Sequence, residues 1–134
     1  MNGDEGYPYT VPVNYVFTNG RVYIHSAKAG HKVDAILADD KVSFCVIDAD
    51  DVIPEKYATN YRSVIAFGRA RIVEDADEKM ASLRALGDKY NPDQDEALDK
   101  EVAKGFDHLY MIAIEIEHLT GKQGLYLARE KSRR

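Results

Sequence analysis

Apolar and polar residues alternate from Tyr7 to Phe17, with Tyr9, Val11, Val13, Tyr15 and Phe17 on one face and Pro8 and Pro12 on the other. That period of two predicts a strand over 7–17. Its prolines donate nothing to a ladder, so part of the strand is an edge or faces a ligand. Asn19-Gly20 then predicts a type I′ turn, which needs positive φ at both positions. The return strand covers 21–26, with Val22 and Ile24 on one face and Arg21, Tyr23 and His25 on the other. Ala29, Val33, Ile36 and Leu37 have the spacing of one buried helical stripe. They predict a helix over 28–38 with Ser26 as its N-cap.

A strand is expected at 41–47, followed by a long acidic loop from Asp48 to Asn60. A loop of that length is usually functional or mobile. The longest strand is expected at 61–74, with Val64, Ala66, Gly68, Ala70 and Ile72 on one side and Gly68 marking a bulge. Two helices follow, over 75–90 and 95–106. Met80, Leu83, Leu86 and Tyr90 form one core-facing stripe and Leu98, Val102 and Phe106 another. The last strand, 109–118, places Tyr110, Ile112, Ile114 and Ile116 on one face. Five strands with inserted helices indicate a single α+β, mainly β domain over 1–134, built on an antiparallel barrel. No Gly-x-Gly-x-x-Gly follows a strand, so a Rossmann site is not supported.

Composition narrows the classes. At 134 residues the chain suits one domain, and 45% apolar with 31% charged residues is globular rather than disordered. A net charge of −5 argues against a nucleic-acid binder. No apolar run approaches the ~18 residues of a membrane span. The one cysteine, Cys45, reads as a small apolar strand residue. A lone cysteine without a signal-like segment fits a reducing cytoplasm.

Against this acidic background His25, Ser26, Lys28, His31 and Lys32 stand out, with no acid from Arg21 to Val33. A helix start offers unpaired N–H groups and partial positive charge, so added cations make it a phosphate seat. Other chemistries find less support. His25, His31, His108 and His118 lack metal-ligand spacing. Gly-x-Ser-x-Gly is absent. Glu115 and Glu117 alternate with isoleucines and read as a solvated rim.

The run Pro8-Tyr9 to Pro12-Val13, with Tyr23-Ile24-His25-Ser26-Ala27 and Gly30-His31-Lys32, resembles the FMN-binding split-barrel flavoproteins related to pyridoxamine 5′-phosphate oxidase. The resemblance is strongest to their nitroimidazole-reductase-like (Nim) branch. Lys56-Tyr57-Ala58-Thr59, Tyr61 to Gly68, and Ile114 to Lys122 continue it in order, so that it covers most of residues 6 to 122. That family carries a helix and a first strand before the Gly-x-Pro-Tyr segment, which here starts at Gly6. The implied barrel therefore lacks its first strand. Either something else completes it, such as a partner chain, or cofactor binding is compromised.

The resemblance implies a homodimer with FMN at the subunit interface. NAD(P)H reduces the flavin, which passes electrons to a small acceptor such as a nitro compound or quinone. It implies that Pro12, Val13 and Asn14 line the ring edge through their backbone. His25, Ser26 and Ala27 approach the ribityl chain and ring, and His31 and Lys32 the phosphate. Tyr61, Arg62 and Ser63 reach a flavin shared with the second subunit. His25 is the candidate proton donor. Each has a plainer rival: a solvated lysine at 32, a structural hydrogen bond at His25, interface packing at Tyr61, and pairing of Arg62 with the acids at 48–55. The alternative function is a non-catalytic flavin or haem carrier, since some split-barrel relatives bind haem.

Overall fold

Asn19 and Gly20 both take positive φ, 52° and 73°. They close a two-residue turn between β1 (Val16–Thr18) and β2 (Arg21–Ala27), with Thr18 paired to Arg21. In the computed structural model, which describes residues 1–131, four further groups of elements follow. They are α1 (His31–Ala38), the strands β3 (Lys41–Ile53) and β4 (Ala58–Ile72), the helices α2 (Ala76–Tyr90) and α3 (Asp95–Gly105), and finally β5 (Leu109–Gln123) with α4 (Leu125–Lys131). The strands form one sheet in the order β1-β2-β5-β4-β3, which does not close on itself. β2 is antiparallel to both β1 and β5. The α+β, mainly β class expected from the pattern is the class observed.

The chain divides into two units, residues 1–42 with 68–116 and residues 43–67 with 117–134. The core of the first unit gathers Val16, Tyr23, Val73, Leu86, Met111 and Ala113. On the other face of the same strands Val22, Ile24, Ile112 and Ile114 are also buried. β5 is therefore apolar on both faces at 111–114, as a central strand must be. α2 packs on β1 and β2 and on α3. Its start is fixed by Asp75, whose carboxylate accepts from the Glu78 N–H at 2.7 Å. At the α2–α3 crossing a Cβ on Gly87 would fall 2.3 Å from Leu98 Cδ1, so a bare glycine lets Leu98 seat there.

In the second unit β3 runs on to Ile53, a 3-10 turn covers Pro54–Lys56, Tyr57 takes φ 48°, and β4 begins at Ala58. The expected acidic loop at 48–60 is thus the tip of a long hairpin. The carboxylates of Asp48, Asp50 and Asp51 sit on exposed strand positions, where they do not oppose pairing, and Glu55 lies in the turn.

Other expectations also shift. Residues 7–15 form no strand. From Tyr9 to Tyr15 they alternate half-buried and exposed as expected, but only an isolated bridge, Asn2 to Pro8, pairs any of them. Val16 is then buried and Phe17 exposed, so Phe17 leaves the expected face. Ser26 is not an N-cap: it lies in β2, and α1 starts at His31 behind Gly30. Gly68 accommodates a close approach, since a Cβ there would fall 2.0 Å from the Glu115 carbonyl oxygen. Cys45 lies in β3 but is exposed.

Candidate functional site

The α1 start is open and uncapped. Gly30 takes φ 137°, no side chain caps the first turn, and a Cβ at Gly30 would meet nothing within 4 Å. The first-turn N–H groups, those of His31 and Lys32 among them, therefore have no capping side chain. Lys32 is half-buried, which brings its ammonium stem against the protein, and Lys28 is exposed with its Nζ 5.6 Å from the Tyr110 ring centroid. His31 is held from the other side. Its ring lies 4.6 Å from that of Tyr9, and Nδ1 is 3.6 Å from Asp4 Oδ2. The donor set of backbone N–H groups, an imidazole and a lysine suits a phosphate monoester. Asp4 is a competitor for His31.

Ser26 is buried and its hydroxyl donates to the Ala27 carbonyl at 2.9 Å, so its side chain is used locally. Ala27 is exposed. Pro12, Val13 and Asn14 lie in the stretch outside the ladders, with Pro12 and Asn14 exposed and Val13 half-buried. Lysine 89 anchors the end of this stretch, with its Nζ 2.7 Å from the Tyr15 carbonyl and 3.5 Å from the Tyr15 ring centroid. Asn14 and His25 meet at a cavity of about 340 Å³ whose other walls come from α2, α3 and β5. The structure thus brings Asn14 and His25 together, and places His31 and Lys32 side by side.

Tyr61, Arg62 and Ser63 belong to the second unit. Tyr61 and Ser63 are half-buried, and the Tyr61 carbonyl accepts from the Gly124 N–H at 2.8 Å. Arg62 is ion-paired to Asp48, the plainer partner that the sequence offered it. Next to them the Asn60 Oδ1 is buried without a hydrogen-bond partner.

An ionic cluster that no sequence motif announces lies beneath α2. Arg71 donates to Glu78 Oε1 at 2.7 Å and to Glu115 Oε1 at 2.9 Å, and Arg21 reaches Glu115 at 2.6 Å. The Tyr23 hydroxyl donates to Glu78 at 2.8 Å. The hydrogen bond from Arg71 holds the Glu78 carboxyl below its ordinary range. Burial pushes Glu115 the other way, but its bonds to Arg21 and Arg71 outweigh that and hold it low as well. Burial raises the Tyr23 phenol. Glu115 is consequently a half-buried partner of two arginines rather than a solvated rim residue. The signal for it is register: β2 and β5 pair Arg21 with Glu115, which sequence spacing alone does not reveal.

No group of three or more histidine, cysteine or acidic side chains stands ready for a metal among the described residues, and no helix there is long and apolar enough to cross a membrane.

Residues 3–123 match a protein-family model described as pyridoxamine 5′-phosphate oxidase. Among solved structures, the chain is similar to a proposed 5-nitroimidazole antibiotic resistance protein of Bacteroides thetaiotaomicron, at 23% identity and TM-score 0.71, over 90% of this chain and 72% of that one. A conserved hypothetical protein of Mycobacterium tuberculosis aligns at 18% identity and TM-score 0.78, over 94% and 75%. An FAD- and heme-binding protein of Mycobacterium smegmatis aligns at 20% identity and TM-score 0.76, over 90% and 62%. These likenesses show a shared fold. Among curated proteins none matches the chain.

Proposed function

The chain belongs to the pyridoxamine 5′-phosphate oxidase family, and from that premise we propose that it is a homodimeric FMN-dependent oxidoreductase. In this reading NAD(P)H supplies electrons and a small nitro compound or quinone accepts them. The observation that carries the reading is the open, uncapped α1 start with His31 and Lys32 on its first turn. A phosphate there accepts from backbone N–H groups and gains the helix-end charge. FMN ends in such a phosphate, and riboflavin does not.

When bound, the flavin supplies the redox chemistry itself. The protein's part is to seat and orient it. Lys32 and His31 hold the phosphate, and His31 does so once it exchanges Asp4 for the stronger anion. The unladdered backbone of Pro12, Val13 and Asn14 is available to the ring edge, with Ser26 and Ala27 along the ribityl chain. His25 sits at the cavity mouth, where its imidazole can give a proton to the reduced acceptor. Tyr61, Arg62 and Ser63 serve the flavin of the second subunit in this reading, with Arg62 leaving Asp48 to do so.

The dimer is supported by what the second unit leaves uncovered. Val52 is 70% exposed, Leu119 55% and Tyr57 100%, and Ile47 and Phe67 are exposed as well. So much apolar surface on one small unit marks an interaction face. The orphaned Asn60 Oδ1 in the same unit also lacks a donor.

The absorption spectrum of protein titrated with FMN, before and after NADH or NADPH, tests the proposal. A bound-flavin spectrum that bleaches with nicotinamide and recovers with a nitro compound is expected. Bound flavin that never bleaches indicates instead a carrier. Resemblance to an FAD- and heme-binding protein keeps haem as the ligand to try in that case.

A further inference from the structure

We propose that Lys89 and Tyr90, the last two residues of α2, are positioning residues for the Pro12–Asn14 backbone and act on it through Tyr15. This rests on the oxidoreductase reading above, in which that backbone meets the flavin ring edge, and assigns the groups that set its place.

The stretch needs a hold from outside itself. Among the described residues, Thr10 to Asn14 make no hydrogen bond or ion pair. The β1–β2 ladder begins only at the Val16–Tyr23 pair. At the far end the Tyr9 N–H donates to the Met1 carbonyl at 2.8 Å, and the Tyr9 ring lies 4.6 Å from that of His31. One end is therefore tied beside the phosphate seat. The other end is fixed at Tyr15.

Tyr15 receives from α2 what a neighbouring strand would give it. Its N–H donates to the Tyr90 hydroxyl at 3.1 Å, and that hydroxyl donates back to the Tyr15 carbonyl at 3.3 Å. A hydroxyl accepts and donates at once, so one side chain serves both peptide groups. Lys89 Nζ donates to the same carbonyl at 2.7 Å. Its ammonium is also held between two rings, 3.5 Å from the Tyr15 centroid and 5.1 Å from that of Tyr90. A lysine in a last turn complements the helix dipole from any rotamer. The dipole alone therefore does not account for its aim at Tyr15.

Proline carries the hold forward. Pro12 fixes its own φ and keeps Val11 extended, so few soft dihedrals separate Pro12 from Tyr15. Three residue steps span at most about 10 Å. A Tyr15 that swings takes with it the Val13 and Asn14 N–H groups, the donors this stretch offers. Misplacement by about 1 Å is enough to weaken such a site.

The test compares the parent with Tyr90→Phe, Lys89→Met and Lys89→Arg, all at exposed positions. In flavin-free protein, amide exchange followed by NMR should quicken at Tyr15 at least roughly tenfold in Tyr90→Phe. Val22 and Ile114, paired across β2 and β5, should exchange as in the parent and report an intact fold. Tyr90→Phe and Lys89→Met should each weaken FMN and riboflavin by one common factor, roughly tenfold, whereas Lys32→Ala acts on FMN alone. The midpoint potential of the bound flavin should fall in both, because loosened N–H donors stabilise the reduced ring less. Lys89→Arg should stay close to the parent, since it keeps a donor and a cation over the rings. Unchanged Tyr15 exchange, a loss confined to FMN, unchanged affinities, an unmoved potential, or a Lys89→Arg as weak as Lys89→Met overturns the proposal and leaves the flavin reading standing. A parent that binds neither flavin removes that reading, and the proposal falls with it.

Discussion

The Tyr23 hydroxyl donates to Glu78 Oε1 at 2.8 Å from a residue that is only 2% exposed. β2 and α2 thereby share a carboxylate that also serves Arg71 of β4. Tyr23→Phe keeps the ring and deletes that bond. Glu78 is partly solvated, so the loss should be about 1 kcal/mol, read as a lower denaturant midpoint at constant m. The pH dependence has a definite sign. Glu78 and Glu115 are both held below the ordinary carboxylate value of 4.5 in the folded chain. Their contribution is therefore present above pH 4.5 and is lost as pH falls through the folded values. Glu78→Gln should flatten that acid limb, and a limb identical to the parent's would show that other carboxylates set it.

Gly68 and Glu115 give a sharper steric expectation. An added Cβ at 68 would sit 2.0 Å from a backbone carbonyl oxygen, and strand backbone cannot step aside cheaply. Gly68→Ala should cost about 3 kcal/mol or more. Gly105→Ala is the control, because its Cβ would meet only Leu109 Cδ2 at an ordinary 3.7 Å. That variant should be neutral or gain up to about 1 kcal/mol at the end of α3. Thermal melts of the two side by side decide the matter; similar melting points would mean β4 and β5 are not pinned at Gly68.

Lys32→Ala tests the phosphate seat apart from any catalysis. Removing one charge-assisted contact of ~1.5–3 kcal/mol should weaken FMN roughly ten- to a hundredfold. Riboflavin affinity should stay unchanged in the variant and lie below that of FMN in the parent. Fluorescence titration measures all four constants. Equal parent affinities for FMN and riboflavin would remove the seat from the proposal.

What was legible in the sequence was local, and what was hidden depended on partners. Asn19-Gly20 fixed its hairpin because positive φ at both positions is a property of those two residues. The α2 start was readable from its acidic first turn and Asp75. The stretch 7–15 had the right alternation but lacks a neighbour, and a period of two is a strand only when something pairs with it. Asp48, Asp50 and Asp51 suggested a loop because they are poor strand residues. Pairing with β4 overrides that when the side chains point to water. Met111 and Ala113 went unread because burial on both faces belongs to a central strand, which only topology reveals. Of the candidate site, the cationic run to Lys32 stood out against an acidic chain, whereas the cavity wall from Leu83 to Val102 looked like any amphipathic helix pair.

Self-association should depend on the second unit. Val52 and Leu119 are exposed there without cover from that unit. Leu119→Asp with Val52→Asp should convert a dimer into a species near 15.1 kDa in sedimentation velocity at micromolar concentration. FMN affinity should fall with it if Tyr61 to Ser63 reach the second subunit's flavin. A parent chain that already sediments as a monomer with flavin bound would end the interface reading.

His25→Gln separates chemistry from binding. The imidazole lies at the cavity mouth with Asn14, on the strand face it shares with Tyr23. General acid catalysis typically contributes 10²–10⁴-fold, so the variant should slow acceptor reduction by at least roughly tenfold. Its flavin affinity should move far less than in Lys32→Ala, because glutamine keeps a donor near the ring while losing the titratable proton. Reduction of the flavin by NAD(P)H, followed alone in a stopped-flow trace, should be unaffected. The slow step should then reappear only when the nitro compound is added. Flavin binding abolished by the substitution would make His25 a binding residue. Turnover left at the parent rate would make it neither a proton donor nor a positioning group.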